Sequence, residues 1–227
     1  MKNFTLDGRL ASVGKFVRQG AVFADIGTDH GYLPLSLLLD GVISHAVCSD
    51  INEGPLSSAK ENAAEFGLFD KCTFRLTSGA IGLETLGITD VAIAGMGGEL
   101  IADIIEASPF LKDEKIRLIL QPMSRQGILR SYLAGSGFKT VAEKFSRSAG
   151  KYYVTLCAEY DGKARSLSER EAELGERVWL DKDDEFCRGY LTAKRSALVR
   201  TRDGKSSAGH DTSGEDALIE YIDSILT

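Results

Sequence analysis

Residues 21–34 read AVFADIGTDHGYLP, and the fold of the whole chain turns on how they are read. The first six make the short apolar run of a buried strand, and Gly27 breaks it before a leucine-rich helical stretch opens beyond Gly31. Strand, glycine loop and helix in succession form the ligand-binding turn of nucleotide folds, where ligands sit beyond the carboxyl ends of parallel strands. The dinucleotide fingerprint at such a turn is G-x-G-x-x-G. Here the spacing is Gly27-x-x-x-Gly31, with Asp25 before it and Asp29 and His30 inside it. Two carboxylates so placed repel a pyrophosphate. S-adenosylmethionine has no phosphate and carries a positive sulfonium and a positive amino group. The loop suits that ligand and disfavours a dinucleotide.

The same alternation continues outward. Leu6, Leu10, Val13 and Val17 recur at helical spacing, which predicts an amphipathic helix over 5–18. Strands are expected at 21–26, 44–50, 72–77, 89–94 and 116–121, and helices at 32–40, 54–66, 97–108 and 125–135. Such a rhythm implies right-handed crossovers and a parallel sheet covered on both faces. Residues 137–160, GFKTVAEKFSRSAGKYYVTLCAEY, read as two strands around a turn at Ser148-Ala149-Gly150. Five parallel strands and a closing hairpin are the outline of a Rossmann-like class I methyltransferase, an α/β fold. A nicotinamide-binding domain would more often bring a sixth parallel strand and a substrate domain.

After Asp161 the strands stop. Phe186, Tyr190, Ala193 and Ala197 share one helical face, 203–214 (DGKSSAGHDTSG) read as a flexible linker, and Leu218, Ile222 and Ile225 mark a last helix. The expected division is a methyltransferase domain over 1–161 and a small helical domain, an antiparallel helical hairpin, over 162–227.

Composition sets the outer limits. With 227 residues and a net charge of −6, the chain has room for one full core and carries no uniformly basic coat. No apolar run reaches a membrane-spanning length, so no membrane partner is expected. The stretch from Met1 to Asp7 lacks the apolar centre of a secretory leader, so the expected location is cytoplasmic. Cys48, Cys72, Cys157 and Cys187 are scattered and the three histidines form no ligand set, so reduced thiols and no metal are expected.

Further chemistry lies at the other strand ends. Asp50 closes the second strand in AVCSDIN, where a carboxylate can accept from both ribose hydroxyls. Ser78, Gly79 and Ala80 follow the third strand, at the place of an adenine-contacting loop. Gly95-Met96-Gly97-Gly98 follow the fourth, where glycines let a flat substrate approach the backbone. Gln121-Pro122 end the fifth and face the same cleft. The Asn/Asp-Pro-Pro-aromatic motif of many amino-nitrogen DNA methyltransferases is absent.

Taken in order, ADIGTDHGYLP, SDINEGPLSSAKEN, DVAIAGMGGELI, ILQPM and GKYY resemble the bacterial TrmK family, and the likeness extends from LDGRLASVGKFV to the helical C-terminus. Members are S-adenosylmethionine-dependent tRNA methyltransferases that act on N1 of adenine 22. The resemblance implies S-adenosyl-L-methionine as cofactor, tRNA as partner, and a helical, coiled-coil-like domain that helps grip it. By position it assigns Asp25, Gly27, Thr28, Asp29, His30 and Gly31 to the cofactor loop. Asp50, Ile51 and Asn52 fall to ribose and adenine, and Gly95 to Gly98 to the loop facing methyl donor and target base, with Ala94, Gly95 and Met96 toward the cofactor and Met96 and Gly97 toward the reaction. Ser78 departs from the Asp or Asn usual there, and the glycine- and serine-rich 203–214 segment implies a looser helical domain.

Adenine N1 has an in-plane lone pair, so methylation needs alignment and a negative field for the cationic product rather than deprotonation. Asp29 is the candidate for that field, with general base and helix cap as its other readings. His30 and Gln121 are candidate partners of the base, although a packed histidine serves equally for His30. N1 lies on the pairing edge, so the target base must leave its stack. Basic residues on the first C-terminal helix (Arg188, Lys194, Arg195, Arg200, Arg202), on the hairpin (Lys144, Arg147) and beside the fifth strand (Arg125, Arg130) would position phosphates; the alternative is an ordinary solvated face. A monomer or weak dimer is expected. The competing readings are a methyltransferase for a small molecule or protein, with the C-terminal helices as lid or dimer seam, and a non-catalytic binding module; a nicotinamide dehydrogenase comes last.

Overall fold

Strands buried on both faces must be apolar at every position, and the centre of this sheet meets that demand. Phe23, Ala24 and Ile26, then Val91, Ala92 and Ile93, then Leu118, Ile119 and Leu120 are all buried. Their neighbours alternate: Ala24, Ile26, Val91, Ile93, Leu118 and Leu120 enter one core, while Phe23, Ala92 and Ile119 enter the other. The computed structural model describes residues 5–176, 178 and 181–227. The first residues of the stretch read for a leader, 1–4, lie outside them.

The sheet has seven strands: β1 (Ala21–Ile26), β2 (Ile43–Asp50), β3 (Cys72–Leu76), β4 (Asp90–Gly97), β5 (Arg117–Ser124), β6 (Phe138–Ser148) and β7 (Lys151–Tyr160). Their order is β3-β2-β1-β4-β5-β7-β6. The first five are parallel, and β7 runs antiparallel to both β5 and β6. This is the Rossmann-like methyltransferase sheet with its terminal hairpin. Strand order reverses between β1 and β4, and that crevice opens at their carboxyl ends.

Helices α1 (Gly8–Gly14) and α2 (Tyr32–Leu39) cover one face through Val13, Leu33, Leu37 and Leu38; α3 (Glu53–Glu65) adds Ala63. The other face packs α4 (Gly98–Glu106) and α5 (Gln126–Gly135) through Ile101, Ile105, Leu129 and Leu133. The first helix is shorter than its 5–18 periodicity predicts, because Asp7 caps it by accepting from the Leu10 amide. Strands β4 and β5 run past the expected 94 and 121, and β4 bulges at Met96 to do so.

The C-terminal part differs more. A short helix, α6 (Glu169–Leu174), is capped reciprocally by Ser168 and Glu171, an S-x-x-E signature that periodicity alone passes over. The expected linker 203–214 is wrong in its first half, since α7 (Glu185–Ser207) continues through Asp203, Gly204 and Lys205. Ion pairs hold that end: Arg202 reaches Asp203 and Asp216, and Lys205 Nζ lies 2.6 Å from Glu215 on α8 (Ser213–Leu226). Arg195 pairs with Asp223 nearer the start of α7, so the two helices run antiparallel as expected. Ala193 is exposed, and the buried seam of α7 passes through Cys187, Tyr190 and Leu191. Tyr190 packs on Phe145 of β6 with ring centroids 5.1 Å apart, and Leu218 and Ile222 join the same core as Val154 and Leu156. The helical hairpin shares its core with the sheet. Among the described residues no helix is long and apolar enough to cross a membrane.

Candidate functional site

The turn after β1 packs three left-handed residues into five positions, Gly27 (φ 74°), His30 (φ 57°) and Gly31 (φ 70°), so the chain folds back on itself before α2 begins. The amides of Gly27 and Thr28 both donate to the Ser49 carbonyl of β2, at 2.8 and 2.9 Å. Thr28 Oγ1 donates to Asp25 Oδ2 at 2.7 Å, and Asn62 Nδ2 to the His30 carbonyl at 2.9 Å. A phosphate-binding turn leaves its backbone amides free for oxygen. Here two of those amides are already engaged, and the Thr28 hydroxyl is bonded to a buried carboxylate.

Between this turn, the end of β2 and the end of β4 lies a cavity of about 300 Å³. Asp25, Asp29 and Asp50 line it together with Arg9, and Leu10, Leu33 and Met96 supply apolar wall. Asp25 is buried, and loss of water pushes its carboxyl up to about 6 against the opposing hydrogen bond from Thr28 and the charge of Arg9. Asp50 is half-buried, and one of its oxygens accepts from the Asn52 amide at 2.7 Å. Gly95 (φ 81°) and Met96 close the far side, and a Cβ on Gly27 would overlap Met96 Cε. Among the described residues no group of three or more histidine, cysteine or acidic side chains is placed to hold a metal.

Asp29 stands at the mouth, with its side chain 83% exposed and Oδ1 3.2 Å from His30 Nε2. It caps no helix: Gly31 holds the N-cap position of α2 without a side-chain bond. The His30 ring stacks on Tyr32 at 5.3 Å. Ile51 and Asn52 lie exposed beside Asp50. Gly79 is tied to β2, its carbonyl accepting from Ser49 Oγ at 3.2 Å; Ser78 is exposed and Ala80 is buried in the core, and none of the three lines the cavity.

Gln121 is not the cleft-facing group expected. It is fully buried: its Oε1 accepts from Arg9 Nη1 at 3.0 Å and from the Gly95 amide at 3.1 Å, and its Nε2 donates to the Pro122 carbonyl. It shapes the β4 turn rather than meeting a base. Arg9 and Tyr32, both on the cavity wall, carry no role in the sequence reading. The signal for Arg9 was that it is the one charged residue between Gly8 and Gly14.

The basic residues separate into two groups. Arg130 is 2% exposed and bound to Glu143 on β6 at 2.7 Å and to the Ala172 carbonyl, so it is a core tether and cannot meet phosphate. Arg188 donates to the carbonyls of Lys182 and Leu226, and Lys194, Arg195 and Arg202 are paired with Glu173, Asp223 and Asp203. Arg125 (φ 57°), Lys144, Arg147 and Arg200 are exposed, with Arg147 resting over the Tyr152 ring.

A sequence profile described as a methyltransferase domain matches residues 6–156. The tRNA (adenine(22)-N(1))-methyltransferase of Bacillus subtilis strain 168 is 36% identical over 169 residues, 71% of each chain. The crystal structure of Streptococcus pneumoniae Sp1610 in complex with S-adenosyl-L-methionine superimposes with a TM-score of 0.83 at 33% identity, covering 96% of this chain and 98% of that one. M. capricolum TrmK, solved with S-adenosyl-homocysteine, gives a TM-score of 0.82 at 25% identity over 98% of this chain and 99% of its own.

Proposed function

The chain belongs to the TrmK family of tRNA (adenine(22)-N1)-methyltransferases, and from that premise we propose how its residues divide the work. The protein transfers a methyl group from S-adenosylmethionine to N1 of adenine 22 in tRNA. One observation carries the assignment of the site: the turn after β1 has engaged its Gly27 and Thr28 amides on Ser49 and surrounds its cavity with carboxylates. That arrangement fits a phosphate-free, positively charged nucleoside. Bound there, S-adenosylmethionine supplies an electrophilic methyl group on sulfur.

In this reading Asp50 accepts from the ribose hydroxyls, and Asp25, kept in place by Thr28, faces the positive end of the donor. Gly27 and Gly95 let backbone approach where a side chain would fill the cavity, and Gly31 lets the left-handed turn close against Ala59 of α3. Ile51, Asn52 and the Ser78–Gly79 backbone border the adenine. Asp29 is the group that answers the positive charge arising on the target base. Its exposure is consistent with that role, because an RNA covering the mouth removes water and strengthens its field at that moment. His30 holds Asp29 in orientation, and Met96 and Gly97 form the floor beneath the base.

The exposed cations Arg125, Lys144, Arg147 and Arg200 fix phosphates around the mouth, and residues 162–227 act as the helical part that grips tRNA. The lining residues named above come from one chain, which suits a monomer or weak dimer. A tRNA substrate supports a cytoplasmic location. The test is nucleoside mass spectrometry of tRNA incubated with the donor: N1-methyladenosine is expected with the wild type and at least tenfold less with Asp29→Ala. Donor consumption without any methylated adenosine would return the reading to a small-molecule or protein methyltransferase.

A further inference from the structure

A second cavity, of about 270 Å³, lies between α1, β6 and the start of α7. Three cations line it, Lys15, Lys144 and Arg147, all of them exposed. None is paired with a carboxylate of the described residues. On α7, by contrast, Lys194, Arg195, Arg202 and Lys205 are each matched by an acid. The acid in the cavity wall, Asp184, caps α7, its Oδ1 accepting from the Cys187 amide at 2.8 Å. Unmatched cations gathered around one hollow repel one another until an anion joins them. We propose that this cavity seats one backbone phosphate of the RNA substrate, close to the adenine that is methylated. The proposal rests on the tRNA reading given above.

The walls are set before any ligand arrives. Gly8 presses α1 onto the hairpin, since a Cβ there would collide with the Arg147 carbonyl. Ser12 Oγ on α1 donates to Thr155 Oγ1 of β7 at 3.0 Å, and Arg147 rests over the Tyr152 ring. Cations held on a fixed frame lose less freedom on meeting a phosphate. Ser146, 5% exposed, also lines the cavity, and its buried hydroxyl has no hydrogen-bond partner. That wall is one acceptor short, and a phosphate oxygen supplies it once the side chain turns outward. Helix α1 sets the register with the reaction. Arg9 faces the donor cavity and Lys15 the second one. Six residues at 1.5 Å each separate them by about 9 Å, or roughly three phosphate steps along a strand.

The opposing view is a diffuse cationic face with no seat. A panel of tRNAs separates the two, each carrying a neutral methylphosphonate at one phosphate within about three nucleotides of adenine 22. Wild-type affinity is expected to fall about three- to tenfold for one member of the panel. Lys15→Met and Lys144→Met should weaken unmodified tRNA by a similar factor, with little further loss on that member. Ser146→Ala should lose about two- to threefold, and thermal unfolding should show all three variants folded. Losses that add in full at every position would overturn the proposal in favour of the diffuse face, as would unchanged affinity in both lysine variants. Inorganic phosphate alone should not saturate the wild type below about 1 mM in calorimetric titration. Saturation there, with tRNA affinity unchanged in the variants, would make this a site for a free anion and overturn the proposal equally. If wild-type protein neither binds nor methylates tRNA, the tRNA reading itself falls and this inference with it, a result set apart because it appears before any substitution.

Discussion

Arg130 on α5 and Glu143 on β6 meet at 2.7 Å with neither side chain more than 2% exposed, and through the Ala172 carbonyl the pair also holds α6. Breaking one partner leaves the other charged and buried. Arg130→Ala is expected to cost about 3–5 kcal/mol in urea unfolding, and Arg130→Leu combined with Glu143→Leu to recover most of that. The double variant should also keep the wild-type salt dependence of tRNA binding, because Arg130 touches no phosphate.

Gly27 carries φ 74° directly against Met96. Gly27→Ala adds backbone strain of about 1–2 kcal/mol and drives the Met96 terminus out of its place. Thermal unfolding should show the loss, and donor affinity should fall. Adding Met96→Ala should relieve the collision and leave the strain, so only part of the stability returns.

Burial raises the Asp25 carboxyl from 3.8 to about 6, which gives stability and binding opposite pH trends. Between those values the folded chain holds a proton that the unfolded chain has released, so this residue's contribution to stability declines as pH rises through that window. The decline amounts to about 3 kcal/mol, from roughly two units at 1.36 kcal/mol each. Asp25→Asn should abolish this slope in urea titrations at pH 4.5 and 7, and should stabilise the protein at pH 7. Donor affinity in the wild type should instead rise across the same window, because the ionised form attracts the ligand.

Among the basic residues, Arg147 and Arg200 are exposed, whereas Arg195 is committed to Asp223. Arg147→Glu and Arg200→Glu are each expected to weaken tRNA binding about three- to tenfold and to lower the slope of log affinity against log salt by about one. Donor affinity should not change. Arg195→Glu should act through loosening of the α7–α8 pair, visible as faster amide exchange in both helices. An unchanged salt slope in the Arg147 and Arg200 variants would remove those residues from the RNA interface.

The parallel sheet was legible because Val91–Ile93 and Leu118–Leu120 are apolar without interruption, a pattern that only doubly covered strands require. The acidic turn after β1 was legible as a turn that disfavours phosphate, because carboxylates stand where a phosphate would need glycine. Arg130 was not, since a buried cation and a solvated one look alike until the strand bearing Glu143 is folded against it. The same holds for Gln121: its position at a strand end was readable, but only the approach of Arg9 and Gly95 turns its amide inward. Residues 203–207 misled because their composition is that of a linker, while cross-helix pairs such as Lys205 with Glu215 supply what local propensity lacks.

The Ser49 carbonyl that receives both the Gly27 and Thr28 amides has a cellular consequence. Cells are crowded with ATP, NAD and their relatives, all sharing adenosine with S-adenosylmethionine. A turn whose Gly27 and Thr28 amides are occupied internally, beside carboxylates that repel phosphate, receives those molecules poorly, so the enzyme should keep working at its own pace while energy charge and redox state swing around it.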